Sequence, residues 1–449
     1  MSQSLPIKRI LILGGGFAGV NILRNIQKSF ENWSNVKISM VSKDNFFLYT
    51  PMLPEVACGI LHPNDITIPI RRLCKQAEFY QAEISSIDLK QQLVTITRTF
   101  DGKVHALEYD YLVLALGSDT NFFGNDNLKT HSFVIKTVED AIAIRTQVIN
   151  MLENAAQTSD REFQKRMMTF VVAGGGFAGV ETIGELNHFV REAVKNFYPS
   201  IGEDKVNMVL VTAQSGILPE LGDKLAQVAF NYLKEVGIKV ITNTRVADAN
   251  ESYVILNNGE KIPSYTLIWT AGTTVEPVIE KLDCQHEKSG RVIVDKYLRV
   301  LGNPNVYALG DCASITDSAT EKPYPPTAQH AIHQSKVVSH NLFAALGGKD
   351  QKEFVFKSRG MMATIGNKAG VATIFGVYLK GALAWFLWRT YHCFQIPNLE
   401  KKARVLTSWT IVSIFRRDLT FVGKIKKKAL TKIEIKDNAP SIKDFFRTL

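Results

Sequence analysis

Two glycine loops carry the spacing most suited to chemistry. Gly14-Gly15-Gly16-Phe17-Ala18-Gly19-Val20 recurs letter for letter at residues 174–180, 160 positions further on. A β-prone apolar run precedes each copy (residues 10–13 and 170–173), and a segment able to form a helix follows. In that context Gly-x-Gly-x-x-Gly turns a strand into a helix. Gly14 and Gly174 make the tight turn, Gly16 and Gly176 let backbone approach a pyrophosphate, and Gly19 and Gly179 let helix pack on strand. Phe17-Ala18 and Phe177-Ala178 lie inside the loops, where free N–H groups and the helix dipole receive phosphate oxygens. One such motif is weak, because glycine turns are common. Two identical copies in matching contexts predict two dinucleotides, one tightly held and one exchanging.

Polar residues at neighbouring strand ends add to the pattern. The strand after the first loop, near residues 36–41, ends in Ser42-Lys43-Asp44. An acid usually holds a ribose there; Ser42 can still hydrogen-bond one, and Lys43 suits a phosphate or an adenine face. The matching strand at 206–211 ends in Thr212-Ala213-Gln214. An acid would repel a 2′-phosphate, so its absence leaves NADPH open beside NADH. Other apolar strands end at Ala115-Leu116-Gly117, Ala271-Gly272 and Gly310-Asp311, where backbone can pass close to a ligand. Asp311 reads as a helix cap or as a partner for a cofactor chain. A helix from about Thr327 to Leu346 carries Gln329, His330, His333 and Gln334 in its first turns. Gln329 and His333 share a face at i, i+4, with Gln334 about 100° further round.

Composition sets the frame. The 449 residues, 45% hydrophobic and 21% charged, make a globular chain with room for two to four domains. Five scattered cysteines (Cys58, Cys74, Cys284, Cys312, Cys393) show no C-x-x-C and no metal-ligand spacing. They predict a reduced, cytosol-facing protein without structural disulfides or bound metal. Residues 1–9 are too short and polar for a signal peptide. Residues 376–449 hold fifteen Lys/Arg against five Asp/Glu, so the whole net charge of +10 lies in the last sixth of the chain.

The elements that must position these residues follow in order. Residues 1–50 read strand, turn, helix, strand. Residues 45–54, with Thr50-Pro51 and Pro54, read as an apolar loop suited to a core or a flavin ring. Residues 78–116 alternate in short runs, as an antiparallel excursion does, and 134–160 read as helix, with Glu139, Arg145 and Glu153 on its polar side. The second unit repeats the plan, with a helix over 178–196. The predicted class is α/β, with two Rossmann-like dinucleotide-binding domains and a helical C-terminal region.

These motifs, with residues 45–54, Ser118-Asp119-Thr120-Asn121-Phe122-Phe123-Gly124, 305–313 and Pro326-Thr327-Ala328-Gln329, resemble the type II NADH dehydrogenases. Those are non-proton-pumping NADH:quinone oxidoreductases within the two-dinucleotide-binding flavoproteins. The likeness spans nearly the whole chain; the Gly loops place only the superfamily, and the Ala-Gln and Thr-Asn-Phe-Phe-Gly stretches narrow it to quinone reductases. It implies tightly bound, non-covalent FAD on Gly14, Gly16 and Gly19, Ser42 at the adenosine ribose and Asp311 at the ribityl chain. Lys43, Thr50, Pro51, Ala115, Gly117, Gly310 and Ala328 complete the flavin side. NADH would lie on Gly174, Gly176, Phe177 and Gly179, with Thr212, Ala271 and Gly272, and Glu181 beside nicotinamide and flavin. Gln329 would face the quinone. Many members have a second Gln four positions later; here that residue is His333, followed by Gln334, and either is a candidate contact. Thr212 stands where many NADH-specific members have Glu. The implied layout is an FAD-binding domain of 1–125 and 290–355, the latter with the quinone-site helix, an NAD(P)H-binding domain of 126–289, and a membrane-anchoring region of 356–449.

Residues 374–389 are apolar but interrupted by Lys380, short of the roughly 20 residues a spanning helix needs. Tyr378, Trp385, Phe386, Trp388, Tyr391 and Phe394, with basic flanks, predict an interfacial helix. Residues 405–415 make a second, ending in Arg416-Arg417 and followed by Lys424 and residues 426–428. That predicts a peripheral, monotopic protein on the cytoplasmic face of a membrane, drawing quinone from the bilayer. The alternative is a helical pair packed on the catalytic body or on a second copy in a homodimer. A disulfide relay is disfavoured, because Cys58 and Cys74 are sixteen apart. Sulfide- or NADPH-linked quinone reductases, a soluble flavin reductase and a signalling flavoprotein are the competing functions. The tail's aromatics argue against nucleic acid.

Overall fold

The computed structural model describes residues 6–358 and 360–420. Lys424 and residues 426–428, part of the expected membrane surface, lie outside the described residues. The first apolar run forms the strand Lys8–Leu13, its last four residues buried. It pairs in parallel with Val36–Ser42 on one side and Tyr111–Leu114 on the other. Asn303–Ala308 continues the sheet beyond Tyr111–Leu114. Burial on both faces is what parallel strands covered by helices require. On the other edge, Ala77–Asp88 pairs with Val36–Ser42, then leaves as an antiparallel meander with Leu93–Arg98 and Val104–Glu108. A second, all-parallel sheet repeats the core order: Phe133–Val134, Thr266–Trp269, Thr169–Ala173, Asn207–Val211, Ile238–Ile241.

Helices α1 (Phe17–Ser29), α3 (Val138–Gln157) and α4 (Phe177–Phe197) pack on these sheets, while α2 (Leu53–Ala57) lies against α3 and α4, and α5 (Ala328–Gly347) against α1. A Thr137/Asp140 capping box starts α3, and the Thr327 hydroxyl accepts the His330 N–H to start α5. Residues 45–54 are not a plain loop. Phe46–Leu48 pairs with Thr67–Pro69, and a turn at Thr50–Met52 runs into α2. Pro51 and Pro54 fall in first helical turns, where a missing N–H costs nothing.

The C-terminal part corrects a larger expectation. Gly360–Gly366, Ala369–Ile374 and Val377–Gly381 form an antiparallel sheet, followed by α6 (Ala382–Gln395) and α7 (Leu399–Ile414). The run 374–389 is therefore half hairpin and half helix. Phe375 (φ 49°) and Gly376 (φ 82°) make the tight turn a hairpin requires, and Gly381 (φ 71°) breaks the strand before α6. The sheet lies close on α4: a Cβ at Gly184 would stand 2.6 Å from the Ile365 carbonyl. Among the described residues no helix is long and apolar enough to cross a membrane.

Candidate active site

The two glycine loops have one geometry. Gly14 N–H donates to Val41 and Gly174 N–H to Val211, both at 2.8 Å; α1 and α4 open with Val20→Gly16 and Val180→Gly176 bonds of 3.0 Å. Gly14 (φ 110°) and Gly174 (φ 122°) hold conformations that L side chains rarely adopt. A Cβ at Gly19 or Gly179 would collide with the first glycine's carbonyl, yet one at Gly16 or Gly176 would meet nothing within 4 Å. That open space above each helix N-terminus, with no acid in the first turn, fits a pyrophosphate. The chain can thus seat FAD at one loop and a nicotinamide nucleotide at the other.

Around the first loop, Phe17 packs edge-on against Phe47 (5.0 Å) and Tyr49 (5.4 Å), so residues 45–54 cover it. Thr50 is exposed and Pro51 half-buried beside this turn. Buried Ser42 faces Gly15, as a ribose-binding residue should. Lys43 instead pairs with Glu83 at 3.3 Å on the surface. Ala115 seals the Gly14 turn, and Ala18 and Ala331 meet at Gly310. Asp311 caps no helix: it accepts from the Ser118 hydroxyl at 2.9 Å, and the Lys136 ammonium donates to the Ser118 carbonyl at 2.6 Å. Burial pulls Lys136 below its ordinary range while Asp311 and Asp119 oppose it. Lys136 was not found from sequence; only its place at the start of a helical stretch marked it.

On the nucleotide side, Thr212 is buried and its hydroxyl faces Gly175, matching Ser42 at Gly15. Phe122 stacks on Trp269 (6.0 Å), and Phe123 lies over Gly272, next to Ala271. Asp119–Thr120 pairs with Thr273–Thr274, tying the 118–124 stretch to the second unit. Along α5, Gln334 turns inward and accepts the Gly310 N–H at 2.8 Å. Gln329 is partly exposed one position after Ala328, and His333 Nδ1 lies 3.1 Å from the Gln329 carbonyl. Burial pulls His330 down to about 4, so this ring is neutral.

Glu181 is buried one turn into α4. It accepts the Thr364 N–H at 3.2 Å, and the Trp388 indole lies near enough to favour its anion. Burial pushes its carboxyl up to about 8 against those donors, with Glu185 and Glu55 adding to the rise. Glu55 receives Arg389 at 2.9 Å and the Trp409 indole at 2.7 Å. Arg417 bridges Glu185 (3.6 Å) and Glu192 (3.3 Å). Two residues expected as basic flanks of a lipid-facing surface, Arg389 and Arg417, therefore point inward, as does Trp388. Tyr49 and His392 of α6, 2.8 Å apart, close the same contact. No sequence signal linked these residues.

The profile of the pyridine nucleotide-disulphide oxidoreductases matches residues 8–335. The chain belongs to this family. It is 31% identical to a probable NADH dehydrogenase of Dictyostelium discoideum, over 92% of this chain and 91% of that protein. It is 28% identical to the type II NADH:quinone oxidoreductase Ndh of Mycobacterium tuberculosis, over 91% and 89%. The solved structure of NDH2 from Plasmodium falciparum in complex with NADH shares the fold, with TM-score 0.85 at 22% identity, over 92% and 99%. These relatives agree with the resemblance read from the motifs.

Proposed function

We propose that this chain is a membrane-surface flavoenzyme that oxidises NADH through FAD and reduces a membrane quinone without pumping protons. The observation that carries the reading is the pair of matching glycine loops, which leave room above Gly16 and Gly176. FAD, when bound, supplies hydride acceptance and onward release of electrons. The chain supplies position: Gly14, Gly16 and Gly19 for one pyrophosphate, Gly174, Gly176 and Gly179 for the other. Ser42 and Asp311 would orient the cofactor, Glu181 would hold a proton beside the nicotinamide, and Gln329 with His333 would face the quinone. Gln334 serves the Gly310 loop instead. The division into 1–125 with 290–355, 126–289 and 356–449 follows from the same reading.

The described outer surface of α6 and α7 presents Leu383, Phe386, Phe394, Leu406, Ile411 and Ile414 to solvent. Lys402 and Arg404 lie on α7 and Arg416 just past it, as a cytoplasmic-leaflet surface would favour. We assign this face to lipid rather than to a second copy. A sulfide-linked reaction is disfavoured because burial pushes Cys312 and Cys284 up to about 11, keeping the thiols protonated. Purified protein should be yellow, bleach with NADH and recolour with a short-chain quinone. Colourless protein, or bleached protein that quinone leaves unchanged, would overturn the reading.

A further inference from the structure

The densest set of buried ionisable groups lies beneath α4. Glu181 and Glu185 stand one turn apart on α4, and Glu55 joins them from α2. Trp388 and Arg389 reach in from α6, Arg417 from beyond α7, and the Thr364 N–H from the C-terminal sheet. Arg145, Cys58, Tyr232, His188, Lys368 and Glu192 are further charged and titratable neighbours among the described residues. The arginines are apportioned: Arg389 to Glu55, Arg417 to Glu185 and Glu192. Among the described residues the hydrogen bond to Glu181 comes from the neutral Thr364 N–H, with the buried Trp388 indole as a second neutral group favouring the anion. Arg389 is itself fixed between the Trp385 (4.1 Å) and Trp409 (4.6 Å) rings. Among the described residues every cationic partner of the three carboxylates thus comes from the C-terminal segment, whose outer side is the apolar surface described above.

We propose that Trp388, Arg389 and Arg417 are positioning residues for Glu181, so that the segment facing the membrane also sets the orientation and protonation of a carboxyl in the active site. The proposal rests on the reading of Glu181 beside the nicotinamide. Two physical effects act in one direction. Losing the Trp388 N–H removes a neutral group that favours the Glu181 anion, and losing the Arg389 charge removes the cation paired with Glu55 nearby. Either change favours the protonated acid.

The test uses full-length, FAD-loaded enzyme and an infrared pH titration of buried carboxyl stretches, with the Glu181 band assigned by its loss in Glu181→Gln. Trp388→Phe removes the N–H while keeping an aromatic ring, though a smaller one, in the site; it should raise the Glu181 midpoint by roughly half to one pH unit. Arg389→Gln should raise it likewise, and Arg389→Lys should restore it. Vesicle binding and flavin content report that each variant is folded. A Glu181 midpoint that stays put in folded Trp388→Phe and Arg389→Gln overturns the proposal. The pH dependence of flavin bleaching by NADH answers the separate question. Midpoints that move while that profile stays fixed uphold the positioning role, and sink instead the placement of Glu181 at the nucleotide.

Discussion

Glu181→Gln should stabilise the protein at alkaline pH and hardly change it in acid. Glu181 is buried, and burial first, then Glu185 and Glu55, pushes its carboxyl from 4.5 to about 8, against the opposing Thr364 N–H and Trp388 indole. The folded state therefore keeps a proton that the unfolded chain has released. Stability from this group is full below pH 4.5 and falls as pH climbs from 4.5 to about 8. At about 1.4 kcal/mol per pH unit, the loss is about 3 kcal/mol by pH 7 and 4 to 5 above pH 8. Glutamine mimics the neutral acid, keeps an oxygen for the Thr364 N–H and does not titrate. Urea unfolding of both proteins at about pH 5.5, 7 and 8.5, with equal flavin, should give a difference growing from about 1 to more than 3 kcal/mol. A constant difference, or a wild type that gains on the variant as pH rises, would refute the reasoning.

Gln329→Ala should slow quinone reduction about tenfold while ferricyanide reduction falls less; equal losses in parallel assays would remove Gln329 from the quinone. Thr212→Glu should lower kcat/KM for NADPH, by placing an anion at the ribose, and spare NADH; comparing the two nucleotides checks it. Phe386→Ser with Phe394→Ser and Ile414→Ser should weaken binding to anionic vesicles at least tenfold in sedimentation assays, with unfolding unchanged, because all three are exposed.

Much of the fold was legible because its turn chemistry is local. Gly14 and Gly174 need a conformation that few residues tolerate, and the space around Gly19 and Gly179 admits no side chain, so single letters encode the loop. The parallel sheets followed from the apolar runs beside them. The hairpin at residues 374–381 was missed because its apolar content suits a strand as well as a helix. Only Phe375-Gly376 and Gly381 carried the difference, and both are turn signals inside a run dominated by composition. The prolines at 51 and 54 misled in the opposite sense, reading as breakers where they open helical turns.

The Glu181 surroundings were illegible for a deeper reason. Glu55, Trp388 and Arg417 come from distant parts of the chain, and no periodicity joins them. Nor does hydrophobicity say which way α6 faces, since core and lipid are both apolar solvents. Trp388 and Phe386 are equally acceptable to either, yet Trp388 is buried and Phe386 exposed. What distinguishes the two sides is charge. Among the described residues Arg389, lodged between Trp385 and Trp409, makes its ion pair with Glu55, and turning α6 about its axis would bury one of them unpaired. A buried ion pair adds little net stability, but leaving one partner alone costs about 3–5 kcal/mol. That asymmetry gives the helix a single seat on the body, with Leu383, Phe386 and Phe394 left outward, and it is the same seat that brings the Trp388 indole toward Glu181.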